Sequence, residues 1–122
     1  MALIAGISGV RFTIDEPIEK IAAQYTRAFS TKFTSYEDVK IIVGRDSRAA
    51  GRRINKAVIK TLKKAGCQPI DLGIVPTPTL TMNLVKLRAS GGIMITASHN
   101  PAQWNGLKFF GKDGLYLRKI SR

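Results

Sequence analysis

Cysteine, histidine and acidic side chains are scarce in this chain of 122 residues. A single cysteine, Cys67, excludes an internal disulfide framework and a cysteine-based zinc site. One histidine, His99, and eight scattered Asp and Glu residues do not supply the clustered ligands of a protein metal site. The low cysteine content fits a reducing compartment, and a cytoplasmic setting is expected. There is no Gly-x-x-x-x-Gly-Lys-Ser/Thr loop, which argues against a P-loop nucleotidase. There is no Gly-x-Ser-x-Gly elbow either, so an α/β-hydrolase triad is a poor fit. Uninterrupted apolar runs are also missing. The least charged stretch, 89–107, is broken by Gly, His, Asn and Pro and does not read as a membrane span. The first six residues lack the basic start and long apolar stretch of a signal peptide. No repeat, low-complexity segment or linker divides the chain, and residues 1–122 read as one domain.

What is abundant is positive charge. Twenty Lys and Arg stand against eight Asp and Glu, for a net charge of +12. Such a field attracts anions, and three readings compete: a general surface bias, a site for small phosphorylated ligands, and nucleic acid. The 44% hydrophobic content is enough for a real core.

Hydrophobic periodicity orders the chain. Val10 to Ile14 alternates like a short strand. Asp15, Glu16 and Pro17 then mark a helix start, and Ile18, Ile21, Ala22, Tyr25, Ala28 and Phe29 give one buried face over 17–33. Val39 to Val43 suits a buried central strand. A helix follows over about 49–65, with Ile54, Val58, Leu62 and Ala65 inward and Gly66 placed to end it. Its other face carries Arg52, Arg53, Lys56, Lys60, Lys63 and Lys64, most simply a solvated surface. Pro69 to Leu72 is a third strand. Thr77-Pro78 reads as an N-cap and first-turn proline of a helix through Leu87, and Ile93 to Ile95 is a short buried strand. Asp113-Gly114 between two apolar runs signals a closing hairpin. The sum predicts a three-layer α/β/α fold, with a mixed, largely parallel sheet of about four strands plus a C-terminal hairpin. The last five residues carry no stop signal and read as a cut.

In open α/β sheets, ligands bind beyond the carboxyl ends of the strands. Gly44-Arg45-Asp46-Ser47-Arg48 and Thr96-Ala97-Ser98-His99-Asn100-Pro101 both fall at such ends. Ser98 is the candidate nucleophile or phosphate carrier, against the plain reading of a turn serine. Neighbouring side chains diverge, which disfavours a direct Ser98–His99 proton relay. Arg11, Arg45, Arg48 and Lys108 are the candidate phosphate-binding cations, each alone as readily a structural ion pair. The segment 6–11 lies on the other side of the first strand and is expected to need a loop folding back to join them.

The run 96–101 resembles the active-site serine loop of the α-D-phosphohexomutases, the superfamily of phosphoglucomutase, phosphomannomutase and phosphoglucosamine mutase. Three further segments resemble that family in order: Gly6-Ile7-Ser8-Gly9-Val10-Arg11, Gly44-Arg45-Asp46-Ser47-Arg48 and Asn105-Gly106-Leu107-Lys108. They span essentially the whole chain but only the first of the family's four domains. The resemblance implies that Ser98 carries a phosphoryl group and binds Mg²⁺ through it. Arg11 and Lys108 would serve acid–base work and phosphate orientation, and His99 would contact substrate. Ser8, Arg45, Arg48 and Asn100 would bind substrate or phosphate. The implied reaction interconverts hexose 1-phosphate and hexose 6-phosphate through a bisphosphorylated sugar.

Two features depart from the family pattern. Phe12 stands where the family usually has Gly after the Arg, and a ring there is expected to displace Arg11 or narrow the cleft. The chain also lacks the Asp-Gly-Asp-x-Asp-Arg loop for Mg²⁺ and the sugar- and phosphate-recognition loops, which the family places in later domains. Its partners would be a phosphorylated hexose and those remaining domains, with no membrane and no specific nucleic acid, and alone it would have little or no activity. The rival readings are an anion- or phosphosugar-binding module without catalysis, and a basic nucleic-acid-binding domain.

Overall fold

The computed structural model describes residues 2–5 and 9–117. In chain order the elements are β1 (Leu3–Ala5), β2 (Gly9–Thr13), α1 (Ile18–Ser30) with a 3-10 turn (Thr31–Phe33), β3 (Lys40–Arg45), α2 (Gly51–Lys64), β4 (Gln68–Ile74), α3 (Thr77–Lys86), β5 (Gly91–Ile95) and β6 (Trp104–Gly111). The six strands make one sheet in the order β1-β2-β6-β5-β3-β4.

The apolar runs take the middle of the sheet. Every residue of β5 is buried, and Ile41 to Gly44 of β3 are buried beside it. Strand parity divides the core into two layers. Val10, Phe12, Val43, Ile93, Ile95, Leu107 and Phe109 face α1 and α2, against Ile18, Phe29, Ile54, Val58 and Leu62. Ile42, Met94 and Phe110 face the other way, against Leu80 and Leu84 of α3. Phe29 of α1 packs on Phe109 with ring centroids 4.9 Å apart. The three-layer α/β/α arrangement is as the periodicity predicts.

The sheet is mixed, as expected, but its parallel share is smaller than the strand–helix alternation suggests. Only β4–β3 and β3–β5 are parallel. β5–β6, β6–β2 and β2–β1 are antiparallel. The cause is that β6 turns straight back from β5, with no crossover helix to keep it parallel. The strand β1 has no counterpart in the sequence reading: three residues are too few to show a period. The C-terminal hairpin is present in short form. Gly111 N–H bonds Leu115 O at 2.9 Å and Leu117 N–H bonds Phe109 O at 3.0 Å, while Phe110 and Tyr116 form a lone bridge.

The helix ends follow local chemistry. Gly66 does end α2, at φ +84°. Cys67 N–H reaches Leu62 O at 2.9 Å and Gly66 N–H reaches Lys63 O at 3.1 Å, a Schellman closure. α3 closes the same way: Ala89 N–H bonds Leu84 O at 2.9 Å and Arg88 N–H bonds Val85 O at 3.1 Å. There the left-handed residue is Arg88, at φ +53°. The starts differ from expectation. Pro17 and Pro76 are the N-caps, so Thr77 is the first helical residue of α3 and caps nothing. Asp15 accepts from Thr13 Oγ1 at 2.6 Å, and that bond holds its carboxyl below the usual carboxylate range.

Left-handed backbone is costly for a side-chain-bearing residue. Replacing Arg88 by Gly is therefore expected to stabilise the chain by about 0.5–1 kcal/mol. A higher urea midpoint with an unchanged slope is the expected result, and a lower midpoint would count against the capping geometry.

Candidate active site

The parallel pair β3–β5 delivers two loops to the same end of the sheet, 46–50 after β3 and 96–103 after β5. They are stitched together at once: Asp46 N–H bonds Ile95 O at 3.1 Å, and Thr96 Oγ1 donates to Asp46 Oδ2 at 2.7 Å. Ser98 occupies the tip of the second loop, half-buried, at φ +55°. Three non-glycine residues among those described have positive φ, and Ser98 is the one at a strand's carboxyl end beside a second loop. Strained residues of this kind concentrate at functional sites.

β6 runs antiparallel to β5, with Met94 opposite Lys108. Lys108 Nζ donates to Ser98 Oγ. The same ammonium lies 5.7 Å from the centroid of the Tyr116 ring, which stacks on Phe110. Sequence reasoning does not single out Tyr116. Its only signal is membership in the closing hairpin, which brings it back over β6. A cation over an aromatic face gains electrostatically, so the hairpin holds Lys108 in place.

Arg11 reaches the site from within β2; the loop 6–8 lies outside the described residues. β2 pairs antiparallel with β6 and sets Arg11 opposite Gly106. A Cβ at 106 would fall 2.4 Å from Val10 O and 3.1 Å from Arg11 Cα, so only glycine allows this approach. Arg11 Nη1 then donates to Asn100 Oδ1 at 3.0 Å. Asn100 N–H closes the turn on Ala97 O at 3.1 Å. Arg11, Asn100, Ser98 and Lys108 are thus brought together. His99 is exposed beside them and makes no hydrogen bond among the described residues. Ser8 lies outside the described residues.

The other two cations behave differently. Arg45 ends β3 with its side chain on the opposite face, against the start of α2: a Cβ on Gly51 would lie 3.3 Å from Arg45 Cδ. It lines a groove with Arg52, Lys56, Asn55 and Asp71, away from Ser98. Strand parity accounts for this. Arg48 does reach the loop, but its Nη2 donates to Ser98 O at 2.8 Å and its Nη1 to Pro101 O at 2.7 Å and Trp104 O at 3.1 Å. Its Nε pairs with Asp46 Oδ2 at 3.2 Å.

Phe12 neither displaces Arg11 nor narrows the cleft. It is fully buried on the α1–α2 side, one residue out of phase with Arg11. The donors of the described residues do not fit a Mg²⁺ site around Ser98. No cluster of three His, Cys, Asp or Glu exists among the described residues. The carboxylate in reach, Asp46, already accepts from Thr96, from Arg48 N–H at 3.1 Å and from Arg48 Nε. No helix among the described residues is long and apolar enough to cross a membrane.

A family model described as phosphoglucomutase/phosphomannomutase, alpha/beta/alpha domain I, matches residues 2–120. A phosphoglucosamine mutase of Pediococcus pentosaceus is 40% identical over 117 residues, covering 92% of this chain and 26% of the relative. A phosphoglucomutase/phosphomannomutase of Thermococcus kodakarensis is 38% identical over 122 residues, covering 98% and 27%. The crystal structure of a phosphoglucomutase/phosphomannomutase family protein from Burkholderia thailandensis superposes with a TM-score of 0.80 at 27% identity, over 90% of this chain and 26% of that one. The chain thus spans about a quarter of the length of the relatives it matches.

The burial of Phe12 generates a prediction. Phe12→Ala is expected to cost about 3–5 kcal/mol, as for other fully buried rings, and to leave the Arg11–Asn100 contact in place. Chemical denaturation measures the first, and a loss below about 1 kcal/mol would mean that the ring is not part of the core.

Proposed function

The chain belongs to the phosphoglucomutase/phosphomannomutase domain I family, and on that premise we propose that Ser98 is the phosphate carrier of a phosphohexomutase active site. The observation that carries this reading is the meeting of Lys108 Nζ and Ser98 Oγ in a left-handed turn at the carboxyl end of β5. In the reaction, the phosphoryl group on Ser98 passes to the free hydroxyl of a hexose monophosphate. This leaves Ser98 as an alcohol and makes a hexose bisphosphate. The bisphosphate turns over, and its other phosphoryl group passes back to Ser98, releasing the isomeric monophosphate.

Each residue has a part that its geometry suits. A phosphoserine carries about −1.5 to −2 charges; the Lys108 ammonium offsets this and gives a proton to Ser98 Oγ as the phosphoryl group leaves, and the resulting amine takes that proton back when Ser98 is phosphorylated again. Arg11, exposed and anchored on Asn100 by one N–H, keeps the rest of its fork for phosphate oxygens. His99 projects into solvent, where it can meet a sugar held from outside this chain. Transition-state stabilisation is then mostly electrostatic and positional, as phosphoryl transfer requires. Mg²⁺ is expected in the assembled enzyme, where it would neutralise charge on the phosphoryl oxygens. It would take ligands from outside the described residues. The remaining domains of such an enzyme and a phosphorylated hexose are the proposed partners.

Two outcomes are expected. The chain exposed to a bisphosphorylated hexose gains one phosphate on the peptide containing Ser98, seen by mass spectrometry, and Ser98→Ala abolishes it. Label at another residue, or label undiminished in Ser98→Ala, would sink the proposal. Binding with no label favours the anion-binding module instead. The 122-residue chain alone is expected to give no steady conversion of glucose 1-phosphate to glucose 6-phosphate in a coupled assay.

A further inference from the structure

We propose that Arg48, Asp46 and Thr96 are positioning residues that hold Ser98 in its left-handed turn, and that Arg48 is not a phosphate ligand. The proposal deepens the reading of Ser98 as carrier and rests on it.

Both peptide groups of Ser98 are held by side chains. Its N–H donates to Thr96 Oγ1 at 2.9 Å, and its C=O accepts from Arg48 Nη2 at 2.8 Å. The two holders meet on one carboxylate. Thr96 Oγ1 donates to Asp46 Oδ2 at 2.7 Å, and Arg48 Nε donates to the same oxygen at 3.2 Å. The hydrogen bonds therefore close a ring: Ser98, Thr96, Asp46, Arg48 and back to Ser98. Asp46 is itself fixed through its N–H to Ile95 O at 3.1 Å, and its Oδ1 takes Arg48 N–H at 3.1 Å.

The ring's chemistry has no slack. A threonine hydroxyl has one hydrogen, and that of Thr96 goes to Asp46, so the lone pairs of Thr96 Oγ1 must face Ser98 N–H. That direction pulls the Ser98 amide back over residue 96, the short loop of an ST-turn. The Arg48 fork grips the far side. Four of the five guanidinium N–H groups are engaged, by Asp46, Ser98, Pro101 and Trp104. Only 16% of the Arg48 side chain is exposed. A phosphate could claim Arg48 only by stripping it from carbonyls that shape the loop. With N–H and C=O both fixed, Ser98 stays at φ +55° and its Oγ stays on Lys108. A strained conformation of this kind persists only where the surroundings over-determine it.

The test uses Thr96→Val, which keeps shape and removes the hydroxyl, Thr96→Ser, which restores it, and Arg48→Lys, which keeps the charge and removes the fork. Amide hydrogen exchange is read by NMR on the ¹⁵N-labelled 122-residue chain, with Val58 in the core of α2 as reference. The Ser98 amide is expected to exchange about tenfold faster in Thr96→Val and Arg48→Lys, the factor for one lost hydrogen bond, with Thr96→Ser close to the parent and Val58 unchanged. The second readout is labelling of Ser98 by glucose 1,6-bisphosphate. The limiting rate is expected to fall by about tenfold or more in Thr96→Val and Arg48→Lys at an unchanged half-saturating concentration, with Thr96→Ser restoring it. Unchanged Ser98 exchange in the folded variants overturns the proposal. So does a raised half-saturating concentration at unchanged limiting rate in Arg48→Lys, which makes Arg48 a phosphate contact. A parent chain labelled elsewhere sinks the carrier reading, and amide exchange then decides the ring by itself.

Discussion

The carboxylate of Asp46 joins the two loops that leave the parallel strands β3 and β5, and the site takes its form from that joint. It accepts from Thr96 in one loop and from Arg48 in the other. Remove it and a buried threonine hydroxyl and a largely buried guanidinium lose their common partner. Unsatisfied groups of this kind cost more than the bond they replace. The joint is possible only because β3 and β5 are neighbours in register, with Arg45 opposite Ile95.

Around this joint the charge is distributed unevenly. Among the described residues the site itself holds few cations: Arg11, Lys108 and the inward-turned Arg48. Much of the excess lies elsewhere, on the α1–α2 face, where Lys20, Arg27, Arg53, Lys56, Lys60 and Lys64 line one groove. Glu19 is the acidic residue in that groove, and Arg53 grips it with two bonds of 2.8 and 3.0 Å. That bidentate pair holds the Glu19 carboxyl below its ordinary range, but both groups are exposed and salt screens them. The net charge therefore describes a general field more than a site.

Much of the architecture was legible because every element but the three-residue β1 carried its own signal. The helices showed a 3.6-residue period and their glycine or proline ends, and the central strands showed short, nearly continuous apolar runs. The sheet's pairing was less legible. Nothing in Trp104–Gly111 states that it lies antiparallel between β5 and β2, since pairing depends on which edge is free when the chain returns. The site was legible as segments, and Ser98, Lys108, Arg11 and Asn100 do converge. Arg45 does not, because one step of strand parity turns it towards α2. The same parity keeps the Phe12 ring out of the cleft. Asp46 and Thr96 carry a fainter signal than the cations beside them. Both bond an amide two residues on, so an Asx- and an ST-turn were readable there.

By itself the sequence determined the family, the order of the elements after β1 and the residues available for chemistry, because periodicity, caps and the spacing of motif residues are local properties of a chain. Only the tertiary structure decided which cations lie at the serine loop. Lys108 of β6 bonds Ser98 and Arg11 of the neighbouring β2 bonds Asn100, Arg48 is spent on carbonyls and on Asp46, and Arg45 faces another layer. Direction around a sheet is a property of its pairing, and no single strand carries it.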